Sequence, residues 1–378
     1  MYIMRWYNCV QTDYHLGKRD EIMKRVLFCL LAAAMLFGCG GKPEAAPAEK
    51  RRSQASPRID CVETDYGVCF LGKNAGIGRI IYLCPNDGSE PYVLCNKPNC
   101  RHTDENCNAY GGGALGFYDG YLYTVQDGRQ LIRMAQDGTG HETVMILPNS
   151  VGGGMYYDAG DRMLYVEAAN LTLPYEQQRF RFFSIDYRTG AFSELFSAFT
   201  EENHIDNTGI FQVVGSRFYG LVLIRTDAAE IERWIMEFDM ETGECRKLFQ
   251  TTVDSIGAVY GSTLFYFIPG EGFMEYDLNS GETEKKSLPV PDAVYAFYGE
   301  DLIYVLGSEN EGDRTLYFLD RSYALVDSVT YPDRESFSFV TGDRLYFSFY
   351  IGTMSLFDAY IEKSEIGGGQ ITLKKLGA

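Results

Sequence analysis

From Ile59 to the C-terminus one pattern of apolar and polar positions keeps returning. An apolar pair leads into a turn with Gly or Asp, and a strand of alternating aromatic and aliphatic residues follows. The phrase reads FYDGYLYTV at 117–125, YDAGDRMLYV at 157–166, VVGSRFYGLV at 213–222, VYGSTLFYFI at 259–268, FYGEDLIYVL at 297–306 and FVTGDRLYFSF at 339–349. TDYGVCFLG at 64–72 is a degenerate first copy. Each is followed by a second phrase of strand, turn and last strand, such as WIMEFDMETGECRKLF and GFMEYDLNSGETEKKSL. Alternation sends successive side chains to opposite faces, and a sheet apolar on both faces must stack between two neighbours.

Seven copies spaced about 38 to 54 residues apart fall in and around the range for propeller blades. Each copy supplies four short strands, and closing the ring protects the sheet edges. Asp-Gly, Thr-Gly and Ser-Gly supply the tight outer turns, where positive φ is needed. No segment carries a sustained 3.6-residue period, so no long helix is expected. The pattern therefore predicts an all-β chain, a β-propeller of seven four-stranded blades over 59–378. Irregular first and last copies leave six or eight blades as alternatives. A pair of β-sandwiches would explain the strands but not the two-phrase repeat.

The first 58 residues follow a different pattern. From Met23 the chain reads MKRVLFCLLAAAMLFGCGGK: a short basic start, then twelve apolar residues from Val26 to Phe37. A membrane span needs about 20 apolar residues, so this run reads as a signal peptide over 23–38, with an uncleaved anchor helix or a buried core helix as the alternative. Its end, Leu36-Phe37-Gly38-Cys39, resembles the lipobox of bacterial lipoproteins, which implies lipidation of Cys39 and a lipid bilayer as a partner. Phe37 departs from the small residue usual at its position. Residues 1–22 have no place ahead of an export signal and read as upstream of the true start. Residues 39–58 are rich in Pro, Ala and charge and read as a flexible tether. The expected location is the extracytoplasmic face of the cell membrane.

Charge narrows the function classes. Residues 1–58 carry ten of the 34 basic and five of the 52 acidic side chains, which leaves 24 against 47, a net −23, for the rest. A field of that sign repels nucleic acid and anionic lipid. Aromatics make up 14% of the chain, with 28 Tyr and 24 Phe, and this is the composition of packed strands.

The phrase LYTVQDGRQLIRMAQDGTGHETVMIL resembles repeats of the lipoprotein-receptor-like and TolB-like propellers. With the lipobox and LCNKPNCRHTDENCNAY, the chain resembles a group of β-propeller lipoproteins of anaerobic gut Firmicutes. The resemblance implies a propeller fold over nearly all of 59–378. It does not select among the many activities that propellers host.

One loop stands outside the repeat. CNKPNCRHTDENC, 95–107, places three cysteines and a histidine in one polar stretch with the spacing Cys-x4-Cys-x-His-x4-Cys. It reads as an inter-blade connection between the outer strand of blade 1 and the inner strand of blade 2. Cys95, Cys100, His102 and Cys107 can make the closed Cys3His set of a structural zinc site, with Asp104 as a substitute ligand. Disulfides are the alternative in an exported protein. Cys61, Cys69 and Cys84 lie nearby, and a hairpin turning at 64–67 would bring Cys61 beside Cys69. Cys84 and Cys95 are staggered. Six cysteines around blade 1 allow fifteen pairings, and their order in sequence selects none.

Catalytic signatures are sparse. Beyond residue 58 the chain has only His102, His141 and His204. It has no Gly-x-Ser-x-Gly elbow, no His-Glu-x-x-His and no phosphate-binding glycine loop. His141 reads as a surface residue after a turn. His204, with Glu201, Glu202 and Asp206, reads as an exposed acidic loop. No catalytic residue is picked out. The best-supported function is a tethered module that binds or scaffolds a protein, peptide or glycan. The alternative is a glycan-active hydrolase or lyase using carboxylates in the central channel.

Overall fold

The computed structural model describes residues 60–378, apart from 75–77, 113, 128, 148–153, 168–179, 227–229, 253–256, 288, 291–292, 309–311, 333–334, 352–353 and 378. The expected upstream segment, signal peptide, Cys39 and tether lie outside the described residues. No helix among the described residues is long and apolar enough to cross a membrane.

Seven antiparallel sheets follow one another along the chain; in each, four strands pair in sequence order, and in the first a fifth short strand, Tyr110–Gly111, pairs with the third beside the fourth. We number them blades 1 to 7: residues 61–111, 115–146, 154–195, 204–250, 257–286, 293–332 and 335–375. Together they form a β-propeller, as the repeat predicts. The first strands of blades 1 and 2, 2 and 3, 4 and 5, and 5 and 6 touch, so first strands are innermost. Fourth strands are mostly exposed, as in Thr283–Lys286 of blade 5.

The turns of the second phrase share one device. In blades 4 and 5, Asp239 and Asp277 each accept two backbone N–H groups through Oδ1, at 2.6–3.2 Å. Four residues later Gly243 and Gly281 turn at φ 75° and 77°. Each donates its N–H back to the Asp carbonyl at 2.8 Å. An Asp side chain closes the turn and a Gly takes the left-handed conformation that a Cβ would strain.

The core lies between blades. Phe182 of blade 3 packs on Phe218 and Phe238 of blade 4 at ring distances of 5.9 and 5.4 Å, and those two stack at 4.6 Å. Large rings bury 150–250 Å² each, about what a narrow blade needs to hold its neighbour. The ring closes without strand exchange, since blade 7 is built entirely from Glu335–Val340, Arg344–Ile351, Met354–Glu362 and Lys374–Lys375. Phe357 meets Phe70 of blade 1 at 4.5 Å. Val68, Cys61 and Cys84 of blade 1 share that cluster with Phe339 and Tyr346. The C-terminal end adds a latch: Leu376 packs on the same cluster, and the Gly377 N–H donates to the Gly88 carbonyl at 3.0 Å.

Candidate metal centre

The outermost strand of blade 1 is broken in two. Tyr92–Val93 pairs with Leu83 and Tyr82, and Tyr110–Gly111 pairs with Ile80 and Arg79 of the same partner strand. Ile81, between them, is bound through both its backbone groups. Its carbonyl accepts the Leu94 N–H at 2.9 Å, and its N–H donates to the Ala109 carbonyl at 2.8 Å. Residues 95–108 are therefore an insertion inside one strand. This corrects the expectation of an inter-blade connection, because the strand resumes after Cys107 before the chain leaves for blade 2. The physical reason is the buried backbone of Ile81, whose N–H and C=O both need partners. Gly112 then makes the crossing: a Cβ there would lie 1.2 Å from the Val125 carbonyl oxygen of blade 2.

Short turns fold the insertion onto itself. The Cys100 N–H donates to the Lys97 carbonyl at 3.3 Å, and the Cys107 N–H to the Asp104 carbonyl at 3.1 Å. Asn99 and His102 flank Cys100 with φ of 58° and 54°. Such values are uncommon outside Gly, though Asn and His tolerate them better than most residues. Asp104 does not face the cysteines as a ligand; its Oδ1 accepts the Asn106 N–H at 2.9 Å. Lys97 Nζ donates to the Asn106 carbonyl, and Asn108 Nδ2 to Asn96 Oδ1 at 2.9 Å.

These turns bring the expected residues together. One ligand atom each from Cys95, Cys100, His102 and Cys107 lies within 4.8 Å of the others, and His102 Nδ1 is 3.3 Å from Cys107 Sγ. A tetrahedral zinc with Zn–S bonds of about 2.3 Å has ligand–ligand edges of about 3.8 Å. The cluster brackets that value, so the four residues fit the ion. Cys107 is 2% exposed and the other three are half-buried. Cys95 and Cys100 pack against a core of residues from blades 1 and 2.

The seven described cysteines from Cys61 to Cys245 are free thiols. Cys61 does not sit beside Cys69: it faces Phe70, and Cys69 faces Val62. The one-residue offset turns them to opposite sides of the blade. Cys61 and Cys84 point to the blade 7 cluster, whereas Cys69 and Cys95 belong with the blade 2 side.

Electrostatics separate the cluster from the structural thiols. Burial pushes Cys69, Cys84 and Cys245 each up to about 12. Burial also pushes Cys95 up. The N–H groups of Lys97 and Asn108, with the thiols of Cys107 and Cys100, outweigh it and bring Cys95 below its ordinary value. Cys107 goes up to about 12, mainly by burial, with the Ala109 N–H partly offsetting and the neighbouring sulfurs adding to the rise. Lys97 and Ala109 each lie two residues after the cysteine they serve. Amide donors aimed at sulfur stabilise thiolates, the form that binds metal. A cation bound by the set would supply the charge that ionises its thiols, since thiolates are the form that ligates metal.

The insertion leans on blade 2. Gln126 Nε2 donates to the Tyr110 carbonyl, and the Tyr110 hydroxyl donates to Asp127 Oδ1 at 3.1 Å. His141 is half-buried, not a free surface residue, with Nε2 3.4 Å from Gln126 Nε2. Burial, and then the charge of Lys97, hold its imidazole below the ordinary value. His204 is not in a loop. It begins the inner strand His204–Val214, and Asp206 there is paired with Arg225 at 2.6 Å. That carboxylate is committed to an ion pair rather than to a cation.

Sequence reasoning missed the backbone donors on Cys95 and Cys107, and the contacts that seat the insertion on blade 2. No motif announces either, since both depend on where the chain re-enters the ladder.

No family model matches the chain, and no curated protein matches it. Solved structures do. An oligogalacturonate lyase in complex with manganese is similar with a TM-score of 0.51 and 17% identity, over 81% of this chain and 89% of that one. An oligogalacturonate lyase from Vibrio parahaemolyticus is similar at 0.49 and 13%, over 82% and 94%. BamB from Moraxella catarrhalis is similar at 0.40 and 11%, over 79% and 95%. At these identities the likeness is one of fold, the β-propeller.

Proposed function

We propose that the chain is a lipid-anchored, extracytoplasmic binding propeller, and that Cys95, Cys100, His102 and Cys107 hold a structural zinc that fixes a recognition loop on its rim. The observation that carries this reading is the closed set of four protein ligand atoms within 4.8 Å, built inside an outer strand. Four protein ligands leave no open position for substrate, so the ion clamps and does not catalyse. The clamped loop presents Lys97, Asn99, Arg101, Thr103 and Glu105, all exposed, in a fixed arrangement. Fixing a loop before it binds lowers the entropy cost of recognition.

The alternative is a glycan-active hydrolase or lyase that uses carboxylates in the propeller channel. One similar structure is an oligogalacturonate lyase in complex with manganese. Three thiolates are soft ligands that favour zinc, whereas manganese favours oxygen donors. Among the described residues the Cys3His set is the group of converging His, Cys, Asp or Glu ligand atoms, and its closed thiol-rich make-up suits a structural ion.

X-ray absorption at the zinc edge on the full chain tests the reading. Three sulfurs at about 2.3 Å and one nitrogen at about 2.0 Å are expected. A first shell of oxygen and nitrogen alone would sink the assignment. Formation of an unsaturated product from oligogalacturonate, with zinc or manganese added, would favour the lyase instead.

A further inference from the structure

The zinc set is unevenly protected. Cys107 is 2% exposed, whereas Cys95 and Cys100 are half-buried and reached from solvent. These two sulfurs sit within 4.8 Å of each other, at the ends of a six-residue segment whose last four residues form a turn closed by the Cys100 N–H on the Lys97 carbonyl. The other thiols of blade 1 are sealed: Cys61 is 2% exposed, and Cys69 and Cys84 are both fully buried. Among the thiols of blade 1 a small oxidant therefore meets Cys95 and Cys100 first, and finds them already close in space; the likewise half-buried Cys245 lies alone in blade 4.

We infer that Cys95 and Cys100 form a peroxide-operated release for the zinc, an inference that rests on the zinc reading above. The Cys95 thiolate attacks one oxygen of a hydroperoxide. The O–O bond breaks, hydroxide leaves, and the sulfur becomes a sulfenic acid. The Cys100 thiolate then displaces hydroxide from that sulfur and forms the S–S bond. Two electrons pass from the two sulfurs to the peroxide, whose oxygens leave as hydroxide and are protonated by solvent. Only His102 and Cys107 remain as ligands, and two ligands do not retain the ion. A small-molecule dithiol, by reducing the bridge, restores the site.

The release acts on the loop and not on the ring. Leu94 and Ala109, the two stems, bind Ile81 through backbone groups that do not involve the sulfurs, and these bonds are expected to survive oxidation. What is lost is the order of 95–108. Arg101 is exposed in the middle of that segment and is a cleavage site for trypsin, while Lys97 is shielded by the following Pro98. Cleavage after Arg101 therefore reports the opening of the loop.

The test uses the full chain in detergent, loaded with zinc and titrated with hydrogen peroxide. Zinc release is followed with a chromogenic chelator, the disulfide is mapped by mass spectrometry, and trypsin cleavage after Arg101 is timed. Release of the zinc in step with one Cys95–Cys100 bridge is expected, with Cys107 still a thiol. Cleavage after Arg101 should become about ten-fold faster or more, and dithiothreitol with zinc should reverse it. In Cys100→Ser no bridge should form at Cys95. Zinc that loads but stays bound under peroxide, or a bridge that maps to Cys107, overturns the release and leaves the structural zinc intact. A chain that loads no zinc at all overturns both.

Discussion

Leu94 and Ala109 stand fifteen positions apart in the chain and bind the same residue, Ile81, one at its carbonyl and the other at its N–H. Everything between them is thus an insertion within one rung spacing of a propeller's outer strand. Such an insertion does not need to fold for the blade to pair. Its order has to come from within, and the amides and side chains that converge on Cys95 and Cys107 supply it.

Ring closure rests on packing, because no strand is shared between the first and last blades. Phe357→Ala removes the ring that meets Phe70 at 4.5 Å and should cost about 3–5 kcal/mol. Truncation after Lys375 removes the half-buried Leu376 and the Gly377–Gly88 bond and should cost about 1–3 kcal/mol. Urea denaturation of each variant checks these values; equal stability to the parent would mean that closure lies elsewhere.

A half-buried acid sits in the seam of blades 2 and 3. The Tyr187 hydroxyl donates to Asp158 Oδ1 at 2.6 Å. Burial raises Asp158 to about 7, with Asp161 adding to the rise and the Tyr187 and Gly160 hydrogen bonds opposing it. The folded state thus holds a proton that the unfolded chain releases near pH 4. The group's contribution is greatest below about pH 4, falls as pH rises to about 7, and is flat above. Stability measured from pH 4 to 8 should show this decline, and Asp158→Asn should flatten it. Gly116 presses on the same pair: a Cβ there would lie 1.9 Å from the Tyr187 hydroxyl oxygen. Gly116→Ala should cost about 1–3 kcal/mol by thermal melting and change the pH slope with it.

The fold was largely legible because its signal is repetitive. Phe182, Phe218 and Phe238 appear in sequence as alternating apolar positions, and alternation with regular turns is what a doubly packed blade requires. The cysteine loop was legible in part. The composition of CNKPNCRHTDENC names four candidate ligands, and the turns bring their ligand atoms within 4.8 Å of one another. Where the loop sits was not legible, because Tyr110 and Gly111 return to the ladder as only two residues and carry no periodicity. The Cys61–Cys69 expectation failed by one residue of register, which in a strand reverses the face. His141 looked exposed because its turn is polar, and only the packing of blade 2 against the insertion half-buries it.

The anchor makes its own prediction. With Cys39 lipidated, the chain partitions into the membrane fraction, and Cys39→Ser should either remain in precursor form or move to the soluble fraction. One acyl-modified Cys39 as the first residue, by mass spectrometry, is the expected result. An unmodified chain that begins at Met1 would contradict both the anchor and the proposed start at Met23.

The most direct test of the central claim is the metal content of the purified full chain, with a count of free thiols in the native and unfolded states. One zinc per chain is predicted, lost in Cys107→Ser together with protection of the 95–108 loop against protease. No metal, with Cys95, Cys100 and Cys107 either all free or joined in disulfides, would contradict it.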